Sequence, residues 1–85
     1  MKKAVTKVVS PLPGLIARVA VKPGQKIKKG EVMVILNVMK TEIPVISETN
    51  GIIKEIYVKE WDEVDVNTVL ALIEPSNDIN KNFST

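Results

Sequence analysis

An internal repeat constrains the fold of this chain more than any other feature of its sequence. Residues 14–36, GLIARVAVKPGQKIKKGEVMVIL, align without gaps on residues 51–73, GIIKEIYVKEWDEVDVNTVLALI. The offset is 37 residues, five positions are identical, and most remaining apolar positions keep an aliphatic residue in both copies, as Leu15 and Ile52 do. Because a fixed offset with matched apolar positions indicates repeated structural units, we predict two equivalent halves.

The residues of both halves favour β-strands over helices. Val, Ile and Thr make up 28 of the 85 residues, and branching at Cβ disfavours helices and favours strands. Apolar residues alternate in segments such as IIKEIYV, and no segment has a sustained helical period. We therefore predict an all-β protein. Its expected strands lie near residues 3–9, 14–21, 32–37, 42–46, 51–58 and 69–74, with turns between them.

Two half-repeats with apolar faces bury those faces best against each other. The predicted fold is a flattened β-barrel or sandwich with an approximate two-fold axis, in one domain over residues 1–75. Residues 38–41 link the two halves, so we expect them to protrude at one edge and the termini to gather at the opposite edge. Residues 76–85, SNDINKNFST, have no apolar pattern and are predicted to be a disordered tail.

The absent residue types exclude several kinds of active site. The chain has no Cys and no His, which excludes disulfides, thiol nucleophiles, imidazole bases and the usual zinc sites. We therefore predict a protein that is not an enzyme by itself. The start of the sequence does not have the pattern of a signal peptide, and its apolar runs are too short to cross a bilayer. The expected location is the cytoplasm, without insertion into a membrane.

The segment VMKT, residues 38–41, is an unusual turn. It joins two predicted strands, yet it has none of the Gly, Asn, Asp or Pro residues that turns favour. A local conflict of this kind is typical of functional or strained sites. Lys40 is therefore the first candidate for a functional residue, although an isolated lysine is more often a solvated charge.

These residues resemble the biotinyl/lipoyl attachment domains, in their biotin carboxyl carrier branch. Val38-Met39-Lys40-Thr41 keeps the central Met-Lys of that family's Ala-Met-Lys-Met tag. SPLPG is similar to its Ala-Pro-Met-Pro-Gly segment, VKPGQKIKKGEVM to its glycine-containing loop, and NGIIKEIYVKE to its second-half copy. The resemblance covers residues 5 to 74. It implies a barrel-sandwich hybrid, here without the protruding thumb of some bacterial carrier domains.

The resemblance implies a carrier whose cofactor is biotin, bound covalently to Lys40. A biotin protein ligase would form the amide, and the carrier would move a carboxyl group between a biotin carboxylase and a carboxyltransferase. Met39, Val38 and Thr41 complete the implied attachment motif, and we expect Met39 to be exposed for recognition. The partner complex is an acyl-CoA carboxylase or another biotin-dependent carboxylase or decarboxylase, and the acceptor, a CoA thioester or an oxo acid, stays open.

Three positions around Lys40 depart from the commonest pattern of that branch. Asn37 replaces a Glu, Val38 an Ala and Thr41 the second Met. Lipoyl domains usually have Asp-Lys-Ala here, and Met39 argues against them. Two alternatives stay open: a lipoyl carrier that uses the same lysine, and an unmodified structural or adaptor module.

The two repeats differ most clearly at two turn positions. Trp61 aligns with Gly24, and Asn67 aligns with Gly30. Asn tolerates a left-handed backbone, whereas Trp does so poorly. We therefore expect the loop around Trp61 to differ from its counterpart, and we expect the indole to be exposed as a candidate contact for a carboxylase subunit.

Charge is divided unevenly along the chain. Residues 1–40 contain nine basic residues and one acidic residue, and residues 41–85 contain three basic and nine acidic residues. A basic half suggests nucleic-acid binding, but so few aromatic residues do not make a base-stacking surface, so no nucleic-acid partner is predicted. If the halves pack face to face, we expect their basic and acidic loops to cancel in part. The acidic run at 60–65 lacks the spacing of a calcium loop.

Overall fold

The computed structural model describes residues 5–76, which form eight β-strands and no helix. The strands are β1 (Thr6–Val9), β2 (Gly14–Val19), β3 (Lys26–Ile27), β4 (Val32–Val38), β5 (Thr41–Ile46), β6 (Gly51–Ile56), β7 (Glu63–Val64) and β8 (Val69–Pro75). The six longer strands lie where apolar alternation predicted strands. The all-β prediction is confirmed.

The eight strands form two antiparallel sheets of four strands. One sheet has the order β1-β8-β6-β3, and the other has the order β5-β4-β2-β7. Within residues 5–76, β1 and β5 are edge strands, so the sheets stack as a sandwich and do not close into a barrel. The prediction of a flattened barrel or sandwich is confirmed in its sandwich form. Residues 20–25 join β2 to β3 directly, without a thumb.

The strand pairing shows that the repeat is longer than the sequence alignment. β2 pairs with β4 as β6 pairs with β8, and β4 pairs with β5 as β8 pairs with β1. At the offset of 37 residues β5 is therefore the counterpart of β1. The sequence does not reveal this equivalence, because pairs such as Lys7 and Pro44 are chemically unrelated.

The two short strands, β3 and β7, were not predicted. β3 of the first half pairs with β6 of the second, and β7 of the second half pairs with β2 of the first. Each half thus places its short strand at the edge of a sheet, next to a long strand of the other half. A strand of two residues is too short to show alternation, so the sequence placed both in loops.

The core lies between the two sheets and receives matched residues from both halves. Ile16 and Ile53 are equivalent and buried, as are Leu36 and Ile73. Each such side chain contributes about 1.5–3 kcal/mol when it is removed from water. The buried apolar residues are Ile16, Val21, Ile27, Met33, Val34, Leu36, Val45, Ile53, Val64, Leu70, Ala71 and Ile73.

Equivalent turns keep the same backbone conformation even where their residues differ. The amide of Gly24 donates to the carbonyl of Ile53 at 2.7 Å, and the amide of Trp61 donates to the carbonyl of Ile16 at the same distance. The φ angles are 87° at Gly24 and 76° at Trp61. The expectation that the loop around Trp61 differs from its counterpart is therefore wrong. The hydrogen bond and the flanking strand pairs hold the turn, and Trp61 accepts the left-handed conformation.

The second pair of turns shows the same equivalence. Gly30 has φ 93° and Asn67 has φ 69°, as the tolerance of Asn predicted. The amide of Gly30 donates to the carbonyl of Ser47, and the amide of Asn67 donates to the carbonyl of Ser10, both at 2.7 Å. Ser10 and Ser47 are buried equivalents, so each pair fastens a turn of one half to a loop of the other.

The two-fold relation exchanges the two ends of the sandwich. The hairpin end contains residues 39–40, the loop 10–13 and the turn 65–68, and the far end contains the loop 47–50 and the turn 28–31. The amide of Ser76 donates to the carbonyl of Asn50 at 2.9 Å, so the described chain leaves the fold at the far end. β1 also begins there, because Thr6 pairs with Ile73. The expectation that the termini lie opposite residues 38–41 is confirmed for residues 5 and 76.

Of the predicted tail, only Ser76 lies within the described residues. The prediction for residues 77–85 falls outside them. Between residues 5 and 76 no helix is long and apolar enough to cross a membrane.

Candidate functional site

The hairpin between β4 and β5 has a loop of only two residues. Val38 pairs with Thr41, and only Met39 and Lys40 lie between them. Their φ angles are 51° and 68°, so both central residues are left-handed, as in a type I′ turn. Asn-Gly is the usual pair in such turns, and other residues in this conformation are disfavoured by about 1–2 kcal/mol each. The conflict at VMKT is thus a strained hairpin.

Asn37 supports this strained turn from the strand that precedes it. Its Oδ1 accepts a hydrogen bond from the backbone amide of Lys40 at 3.1 Å. In the sequence Asn37 stands out only as a departure from a family pattern, so this supporting role was not predicted. The signal was present, because Asn side chains commonly accept from backbone amides a few residues further along a turn.

The four residues of the predicted motif have different environments. Met39 is 92% exposed, and Lys40 is also exposed at the tip. Val38 is half-buried and packs against the core, whereas Thr41 is exposed on the edge strand β5. The predicted exposure of Met39 is confirmed. The tip therefore presents two side chains, while the strand pair below it fixes their position.

The loop that leads into β2 lies against the base of the hairpin. A Cβ added to Gly14 would be 2.7 Å from the carbonyl oxygen of Asn37 and 2.9 Å from Cγ2 of Val38. Such distances are shorter than real Cβ contacts, so this approach requires glycine. Gly14 also pairs with Val64 of β7. The loop 10–13 and the turn 65–68 are thereby brought to the same end as Lys40.

The chemistry available at the tip is that of an accessible primary amine. Within residues 5–76 the one ion pair joins Lys59 and Asp62 at 3.6 Å, so no carboxylate in this range holds the ammonium group of Lys40 in an ion pair. No group of three His, Cys, Asp or Glu side chains in the same range could hold a metal ion. Lys40 is thus an exposed amine on a backbone turn whose conformation is fixed by the hairpin.

Trp61 is the other exposed side chain that the sequence singled out. It is 71% exposed, which confirms the prediction of an exposed indole. It lies in the turn before β7, whereas Lys40 lies at the tip of the β4–β5 hairpin. Trp61 is therefore not part of the β4–β5 hairpin turn. Its role as a contact for a carboxylase subunit stays a prediction.

Comparison with protein families gives one match over most of the chain. The family model described as "Biotin-requiring enzyme", for biotin and lipoyl attachment, matches residues 4–73. The biotin/lipoyl attachment protein of Bacillus subtilis is 42% identical over 66 residues, which are 78% of this chain and 88% of that protein. The biotin-dependent acyl-coenzyme A carboxylase alpha3 subunit of Mycobacterium leprae is 37% identical over 67 residues, which are 79% of this chain and 11% of that subunit.

Solved structures match the fold. The structure of the Kluyveromyces lactis urea carboxylase superposes on 86% of this chain with a TM-score of 0.79. The matched part is 23% identical and makes up 6% of that carboxylase. At this identity the likeness shows the shared sandwich fold, and the chain corresponds to a small part of the larger enzyme.

Proposed function

Because the chain belongs to the biotin/lipoyl attachment family, whose model matches residues 4–73, we propose that Lys40 is its attachment residue and carries biotin. The observation that carries this proposal is the position of Lys40. It is an exposed amine at the tip of a strained two-residue hairpin, between two equivalent halves. An enzyme reaches such an amine from outside without any unfolding of the domain.

Attachment uses the neutral amine of Lys40 as the nucleophile. Its Nζ attacks the carbonyl carbon of a biotinyl-adenylate that a biotin protein ligase has formed. The new C–N bond gives an amide, the bond from the carbonyl carbon to the phosphate oxygen breaks, and AMP leaves with that electron pair. The proton of the amine passes to a base of the ligase or to solvent. Lys40 thereby loses its charge and becomes a tether.

Two observations favour biotin over lipoate. Met39 precedes the lysine, as in the biotinyl pattern, and lipoyl domains usually have an acidic residue at that position. The relative from M. leprae is named as a subunit of a biotin-dependent carboxylase. The B. subtilis relative is named for either cofactor, so lipoate on the same lysine is the second candidate.

Biotin supplies the chemistry when it is attached, since its ureido ring accepts and delivers a carboxyl group. The residues of this chain supply position. The last pair of the ladder, Val38 with Thr41, fixes where the tether begins, and Asn37 holds the backbone of Lys40. A tethered group reaches an effective concentration of roughly millimolar at a partner site. The proposed role is a non-catalytic carboxyl carrier between a biotin carboxylase and a carboxyltransferase, of the acyl-CoA carboxylase type or a related carboxylase or decarboxylase.

Intact mass spectrometry tests the attachment. The chain is incubated with a biotin protein ligase, biotin and ATP, and separately with a lipoate ligase and lipoate. We expect one biotinyl group, mapped to Lys40 by peptide analysis, and none in Lys40→Arg. Lys54→Arg, at an exposed lysine on β6, is the matched control and should be modified like the unaltered chain.

Three results would contradict the proposal. Biotin on the Lys40→Arg chain would assign the wrong residue. Modification by the lipoate ligase alone would assign the wrong cofactor. No modification by either ligase would favour the adaptor alternative.

A further inference from the structure

The turn at Met39 and Lys40 connects two parts of the described chain that depend on each other. We call residues 5–38, with β1 to β4, the N-terminal segment, and residues 41–76, with β5 to β8, the C-terminal segment. Of the six strand pairings within residues 5–76, four join the two segments: β1 with β8, β2 with β7, β3 with β6 and β4 with β5. Each segment therefore obtains most of its sheet partners from the other.

The core and the turns show the same dependence. The N-terminal segment contributes Ile16 and Leu36 to the core, and the C-terminal segment contributes Ile53 and Ile73. The hydrogen bonds of the equivalent turns also cross between the segments, as the one from the amide of Gly24 to the carbonyl of Ile53 does. A segment without the other would expose an apolar sheet face to water, so we expect neither to be stable alone.

The connection between the segments is strained. Met39 and Lys40 have φ angles of 51° and 68°, and both side chains are exposed, so burial does not compensate for this conformation. An extended backbone at these two residues would remove the strain, but within one molecule it would separate β4 from β5. Short connections under strain favour domain swapping, in which two copies of a chain exchange identical segments.

We propose that the chain forms a domain-swapped dimer with a second copy of itself. The N-terminal segment of each copy packs on the C-terminal segment of the other, so the four pairings between segments and both cores form again across the two chains. Residues 39–40 become extended, and β4 continues into β5 as one strand over residues 32–46, about 50 Å long. The dimer relieves the strain of both turns, and its cost is the association of two chains.

The swap takes place during folding and not between folded molecules. A folded chain that opens at residues 39–40 must break four strand pairings and expose its core, so folded monomers exchange segments slowly. During refolding at high concentration, a segment meets the complementary segments of other chains before its own turn closes. The dimer then persists for the same reason that the monomer does.

The swap also removes the tip that presents Lys40. In the dimer Lys40 lies on an extended connection between two sandwiches and not in a two-residue turn. This consequence, unlike the swap itself, rests on the proposed function. A ligase that acts on the lysine of the turn meets a different backbone in the dimer, so the dimer is biotinylated at least about tenfold more slowly than the monomer.

Refolding at different protein concentrations tests the proposal. The full chain is unfolded in urea, refolded by dilution at low or high concentration, and analysed by size-exclusion chromatography with mass determination. We expect a dimer whose fraction rises with the concentration during refolding, and no dimer after incubation of folded monomer at the same concentration. Met39→Asn with Lys40→Gly gives the pair that a type I′ turn favours and should lower the dimer fraction at least about tenfold. Met39→Leu with Lys40→Arg keeps the strain and is the matched control.

Introduced cysteine pairs distinguish a swapped dimer from two intact molecules side by side, because the chain has no cysteine of its own. Lys7→Cys with Leu72→Cys places two thiols on opposite residues of β1 and β8, which belong to different segments. Ile52→Cys with Glu74→Cys is the control, on opposite residues of β6 and β8 within the C-terminal segment. Opposite residues of antiparallel strands lie within the span of a disulfide. After oxidation of the refolded dimer with oxidised glutathione, we expect covalent dimers under denaturing conditions for the first pair and monomers for the control.

Different results overturn different claims. A monomer at every refolding concentration, or a dimer with disulfides only within each chain for both cysteine pairs, overturns the domain swap. An equal dimer fraction in the variant with Asn and Gly in the turn overturns strain as its cause. Equal rates of biotinylation for the isolated dimer and monomer overturn the effect on Lys40 and leave the swap intact. A chain that accepts no biotin in either form overturns the proposed function and not the swap.

Discussion

At the scale of single residues, three residues have a left-handed backbone conformation that is unfavourable for their type. Met39 and Lys40 form the hairpin with φ angles of 51° and 68°, and Trp61 has φ 76° in a turn where its equivalent is glycine. All three are exposed, so their side chains gain little from burial. The strain at Lys40 has a clear reason, because the proposed function requires a lysine there. At the positions of Met39 and Trp61, Gly or Asn would adopt the left-handed conformation with less strain.

Met39→Asn should stabilise the hairpin and weaken modification. Asn favours the left-handed conformation, so we expect the free energy of unfolding to rise by about 1 kcal/mol. The loss of the exposed thioether next to Lys40 should lower the kcat/KM of the ligase, because Met39 belongs to the implied attachment motif. Urea unfolding and biotinylation kinetics measure the two effects. Met39→Leu is the control, since it keeps an apolar side chain and the strain. A Met39→Asn chain that is less stable than Met39→Leu would show that the turn is not strained.

Trp61→Gly and Trp61→Ala together measure the strain in the second-half turn. Both remove the exposed indole, but only glycine relieves the left-handed backbone. We expect Trp61→Gly to be more stable than Trp61→Ala by about 1 kcal/mol and close to the unaltered chain. In the unaltered chain the fluorescence of Trp61 should be red-shifted and quenched by iodide. Equal stabilities of the two variants, or a blue-shifted emission, would contradict this environment.

At the scale of elements, the sequence predicts the strands that have several residues of apolar alternation, and it does not predict the elements that form only by pairing with the other half. The long strands follow from apolar alternation, and the buried equivalents Ile16 and Ile53 follow from the repeat. The sequence also singled out the β4–β5 hairpin, because its residues conflict with its position. It did not predict β3 and β7, which exist only because a strand of the other half pairs with them. Nor did it predict that the backbone at Trp61 copies Gly24, since that conformation is imposed by a hydrogen bond to a residue 45 positions earlier.

The pairing of β6 with β8 should depend on a glycine. A Cβ at Gly51 would meet the carbonyl oxygen of Glu74 and lie 2.7 Å from Cγ2 of Ile73. Because the backbone cannot yield as a flexible side chain does, we expect Gly51→Ala to lower the free energy of unfolding by about 2 kcal/mol or more. Gly24→Ala is the matched control: it has φ 87° and open space around it, so only about 1 kcal/mol should be lost. Equal losses in urea unfolding would mean that close approach at Gly51 is not limiting.

At the scale of the whole molecule, the two-fold relation places equivalent turns of the first and second halves at different ends of the sandwich, although these turns differ in charge. The basic residues Lys28 and Lys29 lie in a turn of the far end, and their equivalents Asp65 and Val66 lie in a turn of the hairpin end. The turn with Lys28 and Lys29 and the turn with Asp65 therefore lie at opposite ends, and the expectation that the basic and acidic loops partly cancel stays a prediction. The sequence contained both loops, but their relative placement depends on the axis that relates the halves.

Removal of residues 77–85 should leave folding and biotinylation unchanged. The described fold ends at Ser76, whose amide bonds to Asn50, and the segment beyond it has no apolar pattern. We expect the free energy of unfolding of residues 1–76 to stay within about 0.5 kcal/mol of the full chain. Urea unfolding and the rate of biotinylation measure this. A larger loss of stability would show that Ile79 or Phe83 contributes to the core.

The described chain begins and ends at the far end, so the length of the sandwich separates both of its ends from Lys40. β4 has seven residues and runs towards the Lys40 tip, which corresponds to a length of about 23 Å. A chain attached before residue 5 or after residue 76 holds the domain at the end away from the lysine. A rotation of 30° about that point would move the hairpin tip by about 12 Å, before any movement of the lysine side chain itself. A small change of angle at the far end would therefore give a large displacement of Lys40 and of any group attached to it.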